Sequence, residues 1–147
     1  MSLVRKARES PSLARDARAL VGRLLWPTQA LLAALFVFTG ISKLIHTPAE
    51  LVAAGRLYAA HLPGGFIHAI AVAELVGALG LVLPAALRVR PGLTPLAAAL
   101  LALVMAGAVA THVILDEWHA IALPAALCVA CAVVAAGRAR WWPIAAR

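Results

Sequence analysis

Charge is missing from most of this chain. Residues 24–42, 75–87, 91–115 and 118–137 contain no Lys, Arg, Asp or Glu. A soluble domain needs a solvated face on each of its elements, so runs of this kind exclude one. The composition agrees: 64% of residues are hydrophobic and 13% charged, and the mean hydropathy is +0.95. Also missing are a Gly-rich phosphate loop, a His-Glu-x-x-His helix and a Gly-x-Ser-x-Gly elbow. Their absence argues against nucleotide, zinc-protease and serine-hydrolase chemistry. Cysteine is limited to Cys128 and Cys131. Their Cys-x-x-Cys spacing would signal redox chemistry on a soluble fold. Here it falls near the middle of an apolar helix with no Lys or His within a turn, so the pair reads as small packing residues. Whether they ever form a disulfide is left open.

What remains is four apolar stretches. Crossing about 30 Å of hydrocarbon takes about 20 apolar residues. Three of the stretches meet that length, and the second does so when residues 65–87 form one helix carrying Glu74. The predicted fold is all-α: an antiparallel bundle of four transmembrane helices in a lipid bilayer. Residues 1–25 form a basic N-terminal segment, 26–137 the membrane domain and 138–147 a basic tail. Residues 12–24 place Leu13, Ala17, Leu20 and Leu24 on one stripe, which suggests an amphipathic surface helix starting at Ser10-Pro11. The long basic region without a small-x-small site does not resemble a cleaved signal peptide. Thr47-Pro48-Ala49-Glu50 has capping-box spacing, which predicts a short interfacial helix over 48–60. The second span is expected to end near Pro84, the third to begin near Thr94-Pro95 and the fourth near Trp118.

Eleven of the thirteen basic residues fall before the first span, between the second and third, or after the fourth. By the positive-inside rule both termini face the cytoplasm of a multi-pass cell-membrane protein. This scattered charge serves topology and is no patch for nucleic acid. All five histidines, His46, His61, His68, His112 and His119, then share the outer end, where His61 and His119 read as merely solvated.

Glu74 is the strangest residue. It lies roughly 13 Å below the outer edge at 1.5 Å per residue. An ionised carboxylate at that depth costs on the order of 3 kcal/mol, so it must face the bundle interior and be either protonated or paired. Lys43, on a flexible stem near the outer edge, is the best partner. Thr39, Lys43 and His46 form one stripe on the first helix, and Thr111 and His112 approach from the third. One reading is a buried ion pair that fixes helix register. The other is a polar pocket in which Glu74 and His112 act as acid and base and Lys43 stabilises an oxyanion, with Thr39, His68 and Thr111 binding substrate.

Phe38-Thr39-Gly40-Ile41-Ser42-Lys43-Leu44 resembles the end of the first helix in DoxX-like membrane proteins. The run from Ala73 to Leu81 resembles that family's second helix, and Met105 to His112 its third. With the Leu62-Pro63 turn, the resemblance covers about residues 28–136. It implies a four-helix membrane protein with a loose link to quinone-coupled and thiol redox chemistry. Onto this chain it carries Lys43, Glu74 and His112, and no cofactor.

Several functions remain open, catalytic and otherwise. One is a redox-linked or quinone-associated membrane subunit. Another is a cofactor-free isomerase, cyclase or hydrolase acting on a lipophilic, epoxide-like molecule. A third is an anchor that holds a soluble cytoplasmic enzyme. No metal site is evident. Single interfacial histidines are commoner than axial pairs, which argues against haem on His68 and His112. A homo-oligomer is compatible with all of these.

Overall fold

In a computed structural model the backbone is described for residues 2–145 and side chains for residues 20 and 22–145. Five α-helices are present: α1 (Ser2–Ile45), α2 (Pro48–Ala53), α3 (Gly64–Leu87), α4 (Leu93–Ile114) and α5 (Ala122–Ala136). Short 3-10 turns at Leu57–Ala60 and Trp118–Ala120 precede α3 and α5, and a π-helical turn, Gly137–Trp141, continues α5. Among the described residues, four segments are long and apolar enough to cross a membrane: Gly22–Ile45, Gly64–Leu87, Leu93–Ile114 and Trp118–Trp141. Among the described residues there is no strand. The molecule is the expected all-α bundle.

The spans pack in the ring order α1–α3–α4–α5, with α5 returning to α1. Successive spans are antiparallel because their connections are short. Leu32, Phe36, Ala78, Leu81, Leu101 and Val134 meet at the centre, while Leu31, Phe38, Val76, Leu79, Leu103 and Val129 stay exposed around the outside. In water that outer surface would be a severe liability. In lipid it is the expected solvent-facing shell.

Small residues set how closely the helices approach. A Cβ added to Gly40 would stand 3.0 Å from the Ala71 carbonyl and 2.9 Å from Leu75, so α1 and α3 touch backbone to side chain there. One added to Gly77 would stand 2.6 Å from Leu101, at the α3–α4 contact. Membrane helices associate through such close packing.

Several boundaries differ from expectation. The N-terminal helix does not start at Ser10-Pro11; α1 is continuous from Ser2. Most of the proposed amphipathic stripe lies outside the described side chains, while Leu20 and Leu24 are exposed. The interfacial helix is shorter than 48–60. It starts with the predicted capping box, in which the Glu50 N–H donates to the Thr47 hydroxyl and the Thr47 N–H donates to the Glu50 carboxylate. It stops after Ala53 because Gly55 takes φ +83° and the Arg56 N–H bonds the Leu51 carbonyl at 2.9 Å. That is a Schellman ending, which propensity over 48–60 does not reveal. Pro84 removes one donor from α3 without ending it. The helix runs to Leu87 and stops where Arg88 turns left-handed at φ 56°.

The structure sorts the polar residues by end. His46, His61, His68, His112 and His119 occupy the end where α1 and α4 finish and α3 and α5 begin. Arg23, Arg88, Arg90, Arg138 and Arg140 occupy the other.

Candidate functional site

At the histidine end, α1 and α3 bring Lys43 and Glu74 together. The Lys43 ammonium donates to both carboxylate oxygens of Glu74, at 2.6 and 2.7 Å. The Thr39 hydroxyl, one turn below Lys43, adds a third bond to Oε2 at 3.0 Å. Glu74 is 1% exposed and sits on the packed face with Ala71, Gly77, Ala78 and Leu81. That face follows the i, i+3, i+4, i+7 spacing, so the sequence dictates that the carboxylate points inward. Three hydrogen bonds converge on one carboxylate, two of them from the Lys43 ammonium, which makes this a strong interhelical contact.

A second pair forms across α4 and the loop that follows it. Nδ1 of His112 lies 2.6 Å from Oε2 of Glu117. Both residues are buried. Three turns of chain make this possible. The Leu115 N–H bonds the Thr111 carbonyl, Asp116 adopts φ 60°, and the Glu117 N–H bonds the His112 carbonyl at 2.9 Å, folding the loop back under the helix end. With Nδ1 held by a carboxylate, Nε2 is the nitrogen left to address a ligand.

The 3-10 turn after α2 supplies the roof. The Tyr58 ring meets the His112 ring edge-on, with centroids 5.9 Å apart. Burial raises the Tyr58 phenol above its ordinary range; the Arg56 charge opposes this and the Glu74 charge adds to it. Tyr58 therefore shares its electrostatic surroundings with the Lys43–Glu74 pair. Arg56 is tied to α1 by a 2.9 Å bond to the Ser42 hydroxyl. A shallow apolar groove of about 480 Å³, lined by Pro48, Ala49, Val52, Ala59, Ala60 and Leu62, runs alongside on the same roof.

Of the residues proposed from sequence, Thr39, Lys43 and Glu74 form one cluster, and His112 packs against Tyr58 at the same end of the bundle. Thr111 and His68 do not join. The Thr111 hydroxyl is spent on the Gly107 carbonyl of its own helix at 3.0 Å. His68 is exposed, because a separation of six residues leaves its side chain about 120° around the helix from the Glu74 face. An axial pair of His68 and His112 for haem therefore has one ring on the outside and one within. Among the described residues no three His, Cys, Asp or Glu gather as metal ligands. Cys131 packs in the core, and the Cys128 thiol contacts the Ala102 carbonyl at 3.3 Å.

Sequence reasoning missed Tyr58, Arg56 and Glu117. Glu117 lies in the short loop after α4, yet it is 7% exposed. The available signal was its position five residues after His112, at a helix end.

A four-helix membrane bundle with a carboxylate, an ammonium and an oriented imidazole at one end defines the class. The sequence profile of the DoxX-like family matches residues 28–134. The chain belongs to the DoxX-like family. No curated protein and no solved structure matches it.

Proposed function

We propose that the protein holds a lipophilic small molecule with an oxygen-bearing head, a quinone being the best-suited class, as a membrane subunit of redox chemistry. The observation that carries this reading is that two partly exposed donors, Lys43 and His112, stand on different helices at the same end of the bundle. Lys43 has three N–H donors, of which Glu74 takes two, and its side chain is 12% exposed. His112, fixed by Glu117, keeps Nε2 for a ligand. A quinone head offers two carbonyl oxygens, and an ammonium and an imidazole are suitable donors for them. The apolar shell lets its tail remain in lipid. The test is solvent extraction of protein purified from membranes, followed by quinone assay. The expected result is retained quinone in the native protein and loss in Lys43→Met and His112→Ala. A quinone content equal to that of an unrelated membrane protein overturns it.

The His112–Glu117 pair also supports a second reading, cofactor-free acid–base catalysis on a lipophilic substrate such as an epoxide. Here His112 is the base, Glu117 orients it and Lys43 stabilises the developing oxyanion. Glu74, already accepting three hydrogen bonds, fixes the ammonium rather than taking the proton. Turnover without bound quinone, lost in His112→Ala, distinguishes this reading from the first.

Both readings use one orientation, with the arginine end and both termini in the cytoplasm. Single-cysteine labelling in intact cells is expected to reach position 119 from outside and positions 90 and 140 only after permeabilisation. External labelling of position 140 reverses the orientation.

A further inference from the structure

The opposite end of the bundle contains a second buried ionic group that neither reading uses. Arg138, grouped by sequence with the basic tail, is 6% exposed and belongs to the last membrane segment. Its Nε donates to the Gln29 side-chain oxygen at 2.6 Å, and the Gln29 amide donates to the Leu81 carbonyl at 2.6 Å. The guanidinium carbon lies 5.3 Å from the centre of the Trp26 ring, a cation–π contact. No carboxylate pairs with it among the described residues, and the acceptors described around its positive charge are neutral. Nη1 reaches the Trp142 carbonyl at only 3.4 Å, and Nη2 is buried without a hydrogen-bond partner.

The second group in the same position is Thr94, fully buried with an unpartnered hydroxyl. Register puts it in the same layer. Cys128 on α5 meets Ala102 on α4; eight residues toward the arginine end on each antiparallel helix are Ala136 and Thr94. Gly80, beside Leu81, faces Ala97, one turn from Thr94. Gln29, Leu81, Thr94 and Arg138 thus define one polar layer across all four spans.

A buried cation with an idle donor is stable only with a counter-charge. We propose that this layer binds a phosphate-type oxyanion, with Arg138 as its cation and Thr94 as a hydroxyl donor. Phosphate suits the guanidinium fork, and a charge-assisted bond replaces the long contact to Trp142. Trp142 is the cover that must yield. It stands at the end of the last helical turn, with its indole against Gly22 and Gly137. The phosphate can come from an anionic phospholipid headgroup or from solution, and Trp26 and Trp141, exposed beside the layer, mark headgroup depth and favour the lipid.

The test titrates the full-length protein, in zwitterionic micelles at constant ionic strength, with phosphatidylglycerol or with inorganic phosphate. Thermal midpoint and native mass spectrometry are the readouts. Native protein is expected to show a saturable rise in midpoint and to retain phosphatidylglycerol. Arg138→Met should weaken the affinity roughly 10- to 100-fold, the value of a hydrogen bond to a charge. Should that variant fail to fold, Arg138→Lys, which keeps charge but loses the fork, and Thr94→Val, near in shape, are each expected to weaken it about fivefold or more. A saturable response to inorganic phosphate alone keeps the site and moves its source to solution. The absence of any saturable response, or equal affinities in native and substituted proteins, overturns the proposal.

Discussion

Replacing Lys43 by Met tests the heart of the histidine-end site. The substitution removes both bonds to Glu74, at 2.6 and 2.7 Å, and leaves the carboxylate 1% exposed with only Thr39 at 3.0 Å. Neutral hydrogen bonds between membrane helices contribute about 0.6 kcal/mol on average. Stripping one partner from a buried ion pair costs about 3–5 kcal/mol, because the remaining charge is uncompensated. The second figure applies here, since Glu74 has no route to water in its present rotamer. Lys43→Met alone is therefore expected to lower stability by about 3 kcal/mol or more. Glu74→Leu alone leaves the ammonium, which is nearer the edge and better hydrated, and is expected to cost less. The double variant replaces the pair with apolar groups and should recover most of the loss. Reversible unfolding of the four proteins of this cycle in mixed micelles measures the coupling. Two single losses that simply add within about 0.5 kcal/mol would refute the reasoning. Recovery of fold without recovery of quinone or turnover assigns the pair to the site as well as to the bundle.

Gly40→Val is expected to separate α1 from α3 and cost about 1–3 kcal/mol by overpacking, whereas Gly107→Ala, open within 4 Å, should be neutral or better in the same unfolding assay. Replacing Cys128 and Cys131 together by Ala should preserve fold and ligand binding and cost about 1 kcal/mol per site, more of it at fully buried Cys131. Loss of function in a folded protein would revive a dithiol role. The Thr47 backbone N–H first, and then its hydroxyl, donate to the Glu50 carboxylate and hold it below the ordinary carboxylate range. A depressed folded pKa stabilises above the unfolded value and is lost as pH falls through the folded one. Acid should therefore loosen α2, and Glu50→Gln should flatten that acid limb; an unchanged acid limb argues against the cap.

The spans, their antiparallel order and the Lys43–Glu74–Thr39 cluster were legible because a buried carboxylate in lipid leaves few options and helical spacing fixes its face. The capping box was legible for a similar reason, since it is a local four-residue event. What escaped was set by backbone detail or distant contact. Gly55 ending α2 by a left-handed turn is a choice that no hydrophobic pattern records. Glu117 folding back onto His112 depends on the left-handed Asp116. Arg138 looked like one more cytoplasmic arginine, because its acceptor, Gln29, is 109 residues away. His68 was placed by depth alone, and its angle around α3 excluded it.

That long separation has a consequence for how the chain is made. Gln29 enters the bilayer with the first segment to be synthesised, long before Arg138 leaves the ribosome. Until then its amide oxygen has no partner from the final bundle, although its NH2 can already reach Leu81 once α3 has inserted. The first three spans can thus assemble in order of synthesis, each against its predecessor. The ring is closed only when the last helical turn arrives and Arg138 latches the fourth span to the first. A chain cut short after Ala136 would contain nearly every apolar residue of the bundle and still lack its clasp.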